Sequence, residues 1–303
     1  MTHGNDMSGN GLAIFGEVLF DCFPGGEKVL GGAPFNVAWH LQAFGQSPCF
    51  ISRIGADSAG DTILKGMQQW GMGCQTLQRD DQHPTGKVTI TLEAGEPTYE
   101  IVADVAYDFI DATLVKEIHP TMLYHGSLGL RNQAARAALE QLKKNRPQRI
   151  FMDVNLRDPW WKSEDVLEWV SDADWVKLNE VELALLHGSS AGNLTAAIEF
   201  KRRHDLEGIV VTLGAKGALV LFRDEAPIQI TPERNLNLVD TVGAGDALTS
   251  VILLGLILDW PIAMTLERAQ LFASAIVGQR GAVVTESAFY QTFLDAWQSP
   301  CSS

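Results

Sequence analysis

Short apolar runs punctuate the chain at regular intervals. "LAIFGEVLF" (12–20), "CFISRIG" (49–55), "MLYHGSL" (122–128), "RIFMDV" (149–154), "WVKLN" (175–179) and "GIVVTLG" (208–214) are rich in β-branched and aromatic residues and read as strands. Between them lie segments whose apolar positions return every three to four residues, the period of a helix. These are "NVAWHLQAF" (36–44), "NQAARAALEQLKKN" (132–145), "EVELALLHG" (180–188) and "NLTAAIEFKRRHDL" (193–206). Strands that alternate with helices predict an α/β fold: a Rossmann-like, doubly wound, mostly parallel sheet with helices on both faces. In such folds ligands bind beyond the carboxyl ends of the strands.

Two stretches break the rhythm. "FDCFPGGEKVLGG" (20–32) reads as a short hairpin around Pro24, Gly25 and Gly26, and "GKVTITLEAGEPTYEIVAD" (86–104) as a second hairpin turning at Ala94 to Pro97. Neither contains a helix, so the two are expected to leave the main sheet together as one small β layer over the site. The organisation predicted is a main α/β domain (11–19, 33–85 and 105–303), a discontinuous β lid (20–32 and 86–104), and a loose N-terminal tail (1–10). An antiparallel edge on the main sheet is the plainer alternative for the hairpins.

A formal net charge of -14 on 303 residues repels nucleic acid and anionic membranes, which sets both aside as partners. The first residues lack the basic flank and apolar core of a signal peptide, and Val251 to Leu258, the longest apolar stretch, is too short to cross a bilayer. Cys22, Cys49, Cys74 and Cys301 show no CxxC spacing, so reduced thiols in a cytoplasmic protein are expected.

The chemistry-bearing signal is "LVDTVGAGDALTSVILLGLIL" (238–258). Gly243, Ala244 and Gly245 precede a long apolar helix, leaving backbone N–H groups at the helix start that can hold an anion. Asp246 follows at once; it reads either as a carboxylate complementing the dipole or as an acceptor kept ionised by it. A second element, "VLGGAPFNVAWHLQAFG" (29–45), places Gly31 and Gly32 before a helix whose first turn presents Asn36. Neither a GxxxxGK[ST] phosphate loop nor a strand-borne GxGxxG is present, which removes the dinucleotide reading. The histidines form no metal-ligand pattern, and the eight tryptophans read as packing or pocket-wall residues, with Trp160 and Trp161 beside Arg157 placed to wall a pocket.

"GGAPFNVAWHLQAFG" near the start and "DTVGAGDAL" near the end resemble the two signatures of the ribokinase-like (PfkB-type) carbohydrate kinases. "KLNEVEL" (177–183) is similar to that family's NxxE motif, and "TLGAKGALV" (212–220) to its nucleotide loop. Within the family, "GEVLFD", "GGAPFN" and "DVNLRDPWW" look most like fructokinases, whereas Leu19 and Ala33 stand where ribokinases usually carry Asn and Lys.

The resemblance implies transfer of the γ-phosphoryl of ATP to a hydroxymethyl group of a small sugar, fructose first. A 2-keto-3-deoxygluconate kinase, another sugar or nucleoside kinase, and a non-catalytic sugar sensor are the alternatives. It implies Asp246 as base and Gly243, Ala244 and Gly245 as the anion hole. Asp21, Gly32, Asn36 and Arg157 are implied for the sugar, and Asn179, Thr212, Gly214 and Gly217 for the nucleotide. Glu182 is implied for Mg²⁺ through water, and Asp240, Val242, Gly281 and Thr285 for a monovalent cation such as K⁺. The helix dipole is expected to lower the pKa of Asp246, and the lid edges suggest a homodimer.

Overall fold

The structure is a computed structural model that describes residues 11–93, 96–189, 192–232 and 239–298. The tail, the turn residues 94 and 95, Leu238 and Cys301 lie outside these. Strand β1 (Leu12–Phe15) is followed by β2 (Leu19–Cys22), β3 (Lys28–Gly31), α1 (Ala33–Ala43), β4 (Cys49–Gly55), α2 (Ser58–Gln69), β5 (Leu77–Asp80), β6 (Gly86–Glu93) and β7 (Glu96–Ile101). Next come β8 (Met122–Gly126), α3 (Gln133–Lys144), β9 (Arg149–Asp153), α4 (Ser163–Ser171), β10 (Trp175–Asn179), α5 (Glu180–His187), α6 (Leu194–Arg203) and β11 (Gly208–Thr212). Strands β12 (Ala218–Phe222) and β13 (Ile228–Ile230) and helices α7 (Ala244–Ile257), α8 (Ile262–Val277) and α9 (Ser287–Gln298) follow.

Among the described residues the main sheet has nine strands in the order β13-β12-β11-β10-β9-β8-β1-β4-β5, parallel except where β12 pairs antiparallel with both neighbours. Its strands are apolar on both faces because helices cover both. In β1, Leu12 and Ile14 pack with α1, α7 and α8, while Ala13 and Phe15 pack with α3 and α4. The sequence runs leave β1 for β4 on one side and reach β8 and β9 on the other, so the strand order reverses at β1/β8, the place where such sheets bind ligands.

The second sheet, ordered β3-β2-β6-β7, is the layer expected from the two hairpins: β2 runs parallel to β6, and each hairpin is antiparallel. One expectation is corrected. "LAIFGEVLF" is not one strand, because Gly16, at φ +146°, breaks it and a Cβ there would lie 2.5 Å from Pro34 Cγ. The break sends Leu19–Cys22 into the lid and leaves Glu17 between the two sheets.

Helix α7 positions the glycine turn. Val251, Ile252, Leu253 and Leu254 are consecutive and buried, so the helix is apolar all round and sits inside the molecule. Burying each such side chain stabilises by about 1.5–3 kcal/mol, which makes the N-terminus of α7 a fixed point of the fold.

Candidate active site

A cavity of ≈ 370 Å³ lies between the lid and the carboxyl ends of the main-sheet strands. Asp21 reaches it from the lid, Gly32 and Asn36 from the start of α1, Arg157 from the segment after β9, and Gly243, Gly245 and Asp246 from the start of α7. The predicted sugar residues, Asp246, and Gly243 and Gly245 of the anion hole, 225 positions apart at the extremes, thus share one chamber, whose lining does not include Ala244. A more open cleft of ≈ 520 Å³ beside β5 is larger, but its Arg53 and His83 are already tied to Asp80.

Asp246 Oδ2 accepts a hydrogen bond from Asn36 Nδ2 at 2.8 Å. Asn36 is buried and its Oδ1 has no partner among the described residues, which leaves an acceptor for a ligand hydroxyl. The expected depression of the Asp246 pKa is not observed. Burial raises it to about 6, and the nearby Asp153 adds to the rise, against the Asn36 hydrogen bond, Lys177 and Arg157. Desolvation therefore outweighs the half-charge at the helix end. The carboxylate is ionised at neutral pH yet basic enough to take a proton.

Two glycines at the site have steric reasons. Gly243 caps α7 at φ +79°, without a side-chain cap, and a Cβ there would lie 2.4 Å from Ala282 Cα. Gly32, at φ +109°, brings the backbone against the Glu17 carbonyl, 2.7 Å from where its Cβ would stand. Close packing thus accounts for the glycines; the helix start has no side-chain cap, and the Ala244 N–H makes only a long bond of 3.4 Å to the Thr241 carbonyl, which an anion can replace. Asp21 is half-buried, and burial raises its pKa against the pull of Arg157.

Three buried charged residues in or beside the chamber were missed. Lys177 lines the cavity, and its Nζ is 3.3 Å from where a Gly245 Cβ would stand. It forms a buried ion pair with Asp153 Oδ2 at 2.6 Å, and Thr249 donates to the same oxygen at 3.3 Å. Burial acts to lower the Lys177 pKa, but Asp153 overrides it and the net shift is upward. Glu17 also lines the cavity, 3 % exposed. The signal was a charge inside an apolar run: Lys in "WVKLN", Asp in "RIFMDV", Glu in "LAIFGEVLF". Each must find a partner or a ligand once the run is buried. The tryptophan expectation is corrected: the cavity lining does not include Trp160 or Trp161. Trp160 lies under the Arg131 guanidinium at 4.4 Å, and Trp161 Nε1 donates to Asp158.

The nucleotide candidates stand outside this chamber, along the strand ends, and of the cation candidates Val242 lines it while Asp240, Gly281 and Thr285 do not. Asn179 and Thr212 are register partners at the ends of β10 and β11, and Gly214, at φ +57°, faces open space. Gly217 packs so tightly that a Cβ would be 1.9 Å from the Ile230 carbonyl oxygen. Glu182 is buried, and its carboxylate accepts from Leu156 N at 2.7 Å and Asn179 N at 2.8 Å, while Asn179 Oδ1 caps α5. Burial raises the Glu182 pKa against those two hydrogen bonds. No cluster of three or more His, Cys, Asp or Glu side chains able to hold a metal exists among the described residues. A carboxylate pinned this way has one lone pair per oxygen left for water, which fits a hydrated Mg²⁺ and not a direct multi-carboxylate site. Asp240 ties two loops together by accepting from Val242 N at 3.0 Å and Gly281 N at 3.1 Å. Thr285 is exposed just beyond Val284.

Comparison with known proteins decides the family. The pfkB family carbohydrate kinase model matches residues 21–288, which takes in the lid, the anion hole and everything between. The chain belongs to this family. The kinase is 30% identical over 263 residues to a fructokinase of Salmonella typhimurium, covering 80% of this chain and 83% of the relative. It superposes with a TM-score of 0.79 at 28% identity on the fructokinase of Vibrio cholerae O395 solved with fructose, ADP and calcium ion, covering 95% of this chain and 99% of that one. The fold is equally shared, at TM-score 0.79 and 24% identity, with aminoimidazole riboside kinase from Salmonella enterica, covering 94% of this chain and 100% of that one. The kinase is accordingly an ATP-dependent phosphotransferase with a ribokinase-like fold.

Proposed function

We propose that this kinase phosphorylates a hydroxymethyl group of a neutral sugar, with fructose as first choice. The observation that carries the reading is the wall of the chamber: Glu17, Asp21 and Asp246 face it together with Asn36. Carboxylates accept hydroxyl groups in pairs and an amide both donates and accepts, which suits a polyol. An acidic sugar such as 2-keto-3-deoxygluconate would meet three carboxyl groups, with Arg157 as its counter-ion, since Lys177 is matched by Asp153. The fructokinase relatives support the same choice.

In the reaction Asp246 orients the acceptor hydroxyl and takes its proton as the oxygen–phosphorus bond forms and the bond to the ADP leaving group breaks. The N–H groups of Gly243, Ala244 and Gly245 stabilise the charge on the moving phosphoryl, the term expected to dominate. A transition state with late bond formation needs little early proton transfer, so a carboxylate of pKa about 6 suffices. Asn179, Thr212 and Gly214 are proposed to hold the nucleotide at the adjoining strand ends. Mg²⁺ near Glu182 would neutralise phosphate charge, and a K⁺ held by backbone carbonyls near Asp240, Val242, Gly281 and Thr285 would strengthen the field of the anion hole. The test is ADP release across fructose, glucose, ribose, 2-keto-3-deoxygluconate and adenosine. Fructose is expected to give the highest kcat/KM, and no response to it overturns the choice.

A further inference from the structure

We infer that Glu17 is a substrate-contacting residue: its carboxylate accepts a hydrogen bond from a second hydroxyl of the acceptor sugar, on the main-domain side of the chamber. The inference rests on the sugar-kinase reading of that chamber. Glu17 is 3 % exposed, lines the cavity, and its Oε2 has no hydrogen-bond partner among the described residues. A buried carboxyl oxygen left without a partner is costly, so one on a residue that lines a cavity points to a ligand.

The surroundings hold it in place. The backbone of Gly32 packs on the Glu17 carbonyl, and a Cβ on Gly129 would stand 3.2 Å from Glu17 Oε2. Gly32 thus holds the Glu17 backbone, and Gly129 leaves room for its carboxylate, which a Cβ there would crowd. The groups acting on it electrostatically are Arg157, Arg131 and Asp246, and it in turn acts on the phenols of Tyr107 and Tyr124. Burial raises its pKa to about 7, against the hydrogen bond from its own backbone N–H and the pull of the two arginines. A sugar hydroxyl donating to Oε2 replaces the solvation that burial removed and favours the ionised form, so acceptor binding and proton release are coupled. Asp246, titrating near 6, contributes little to that coupling above pH 7.

The test compares wild type with Glu17→Gln, using the acceptor that wild type turns over best in the panel above. The loss of a charge-assisted hydrogen bond is expected to raise the sugar KM roughly 10- to 100-fold, with the larger share of the loss in KM rather than kcat and with KM for ATP unaffected. Wild-type KM for the sugar should fall as pH rises through about 7, and the variant should lose that inflection. Calorimetry on unmodified protein at pH 7, in two buffers of different ionisation enthalpy, should show proton release on sugar binding. A variant with wild-type sugar KM, or binding with no linked proton, overturns the inference. The identity of the best acceptor tests the proposed function and the contrast between wild type and variant tests Glu17, so the two fail separately.

Discussion

Asp246 shows how a single residue is set by opposing effects. A helix start favours a carboxylate, yet the chamber removes water from it, and the second effect is the larger. Asp246→Asn keeps the Asn36 contact but not the base, so kcat should fall roughly 10²- to 10⁴-fold with little change in sugar KM. An unchanged kcat would remove Asp246 from the reaction. For the wild type, kcat should rise with pH through about 6 as the carboxylate ionises. The folded-state pKa lies above the usual 3.8, so the folded protein binds this proton more tightly, and the associated stability is lost as pH rises from 3.8 through about 6. Asp246→Asn should therefore be more stable than wild type at pH 8, by about 1–2 kcal/mol once solvent in the chamber is allowed for, as read by urea denaturation.

At the scale of elements, β9 and β10 are joined by the Lys177–Asp153 pair, register partners at the middle of β10 and the carboxyl end of β9, with side chains 9% and 2% exposed. Removing one partner of such a pair strands the other's charge. Lys177→Met should cost about 3–5 kcal/mol in urea denaturation, and adding Asp153→Leu should recover much of it. A single variant within about 1 kcal/mol of wild type would show that the pair is not held as described. The turn before α7 is equally constrained, because Gly243→Ala requires a Cβ at φ +79° against Ala282. That variant should lose activity by moving the anion hole, and the loss should appear in kcat. The elements themselves were legible from the apolar period, and the lid from hairpin chemistry around Pro24, Gly25 and Gly26. The break at Gly16 was not, because "LAIFGEVLF" has the composition of one strand and only the contact with Pro34 dictates the turn.

For the whole molecule, the lid exposes Phe23 at 41% and Tyr99 at 66%, on a sheet whose edge strands are β3 and β7. Unpaired edges with apolar rings favour pairing with a second copy. Light scattering at working concentration should give the mass of a homodimer, and a monomer mass would set lid pairing aside. The sequence by itself determined the alternation of strand and helix, the two glycine elements and the carboxylate that follows one of them. These are local properties, carried by period, turn residues and helix ends. Only the tertiary structure decided that Glu17 and Lys177 belong to the site and that Asp246 is more basic than its helix end suggests, and that Trp160 and Trp161 stand outside the chamber. Partnering, desolvation and pocket lining depend on which distant segments meet, and no spacing along the chain encodes that.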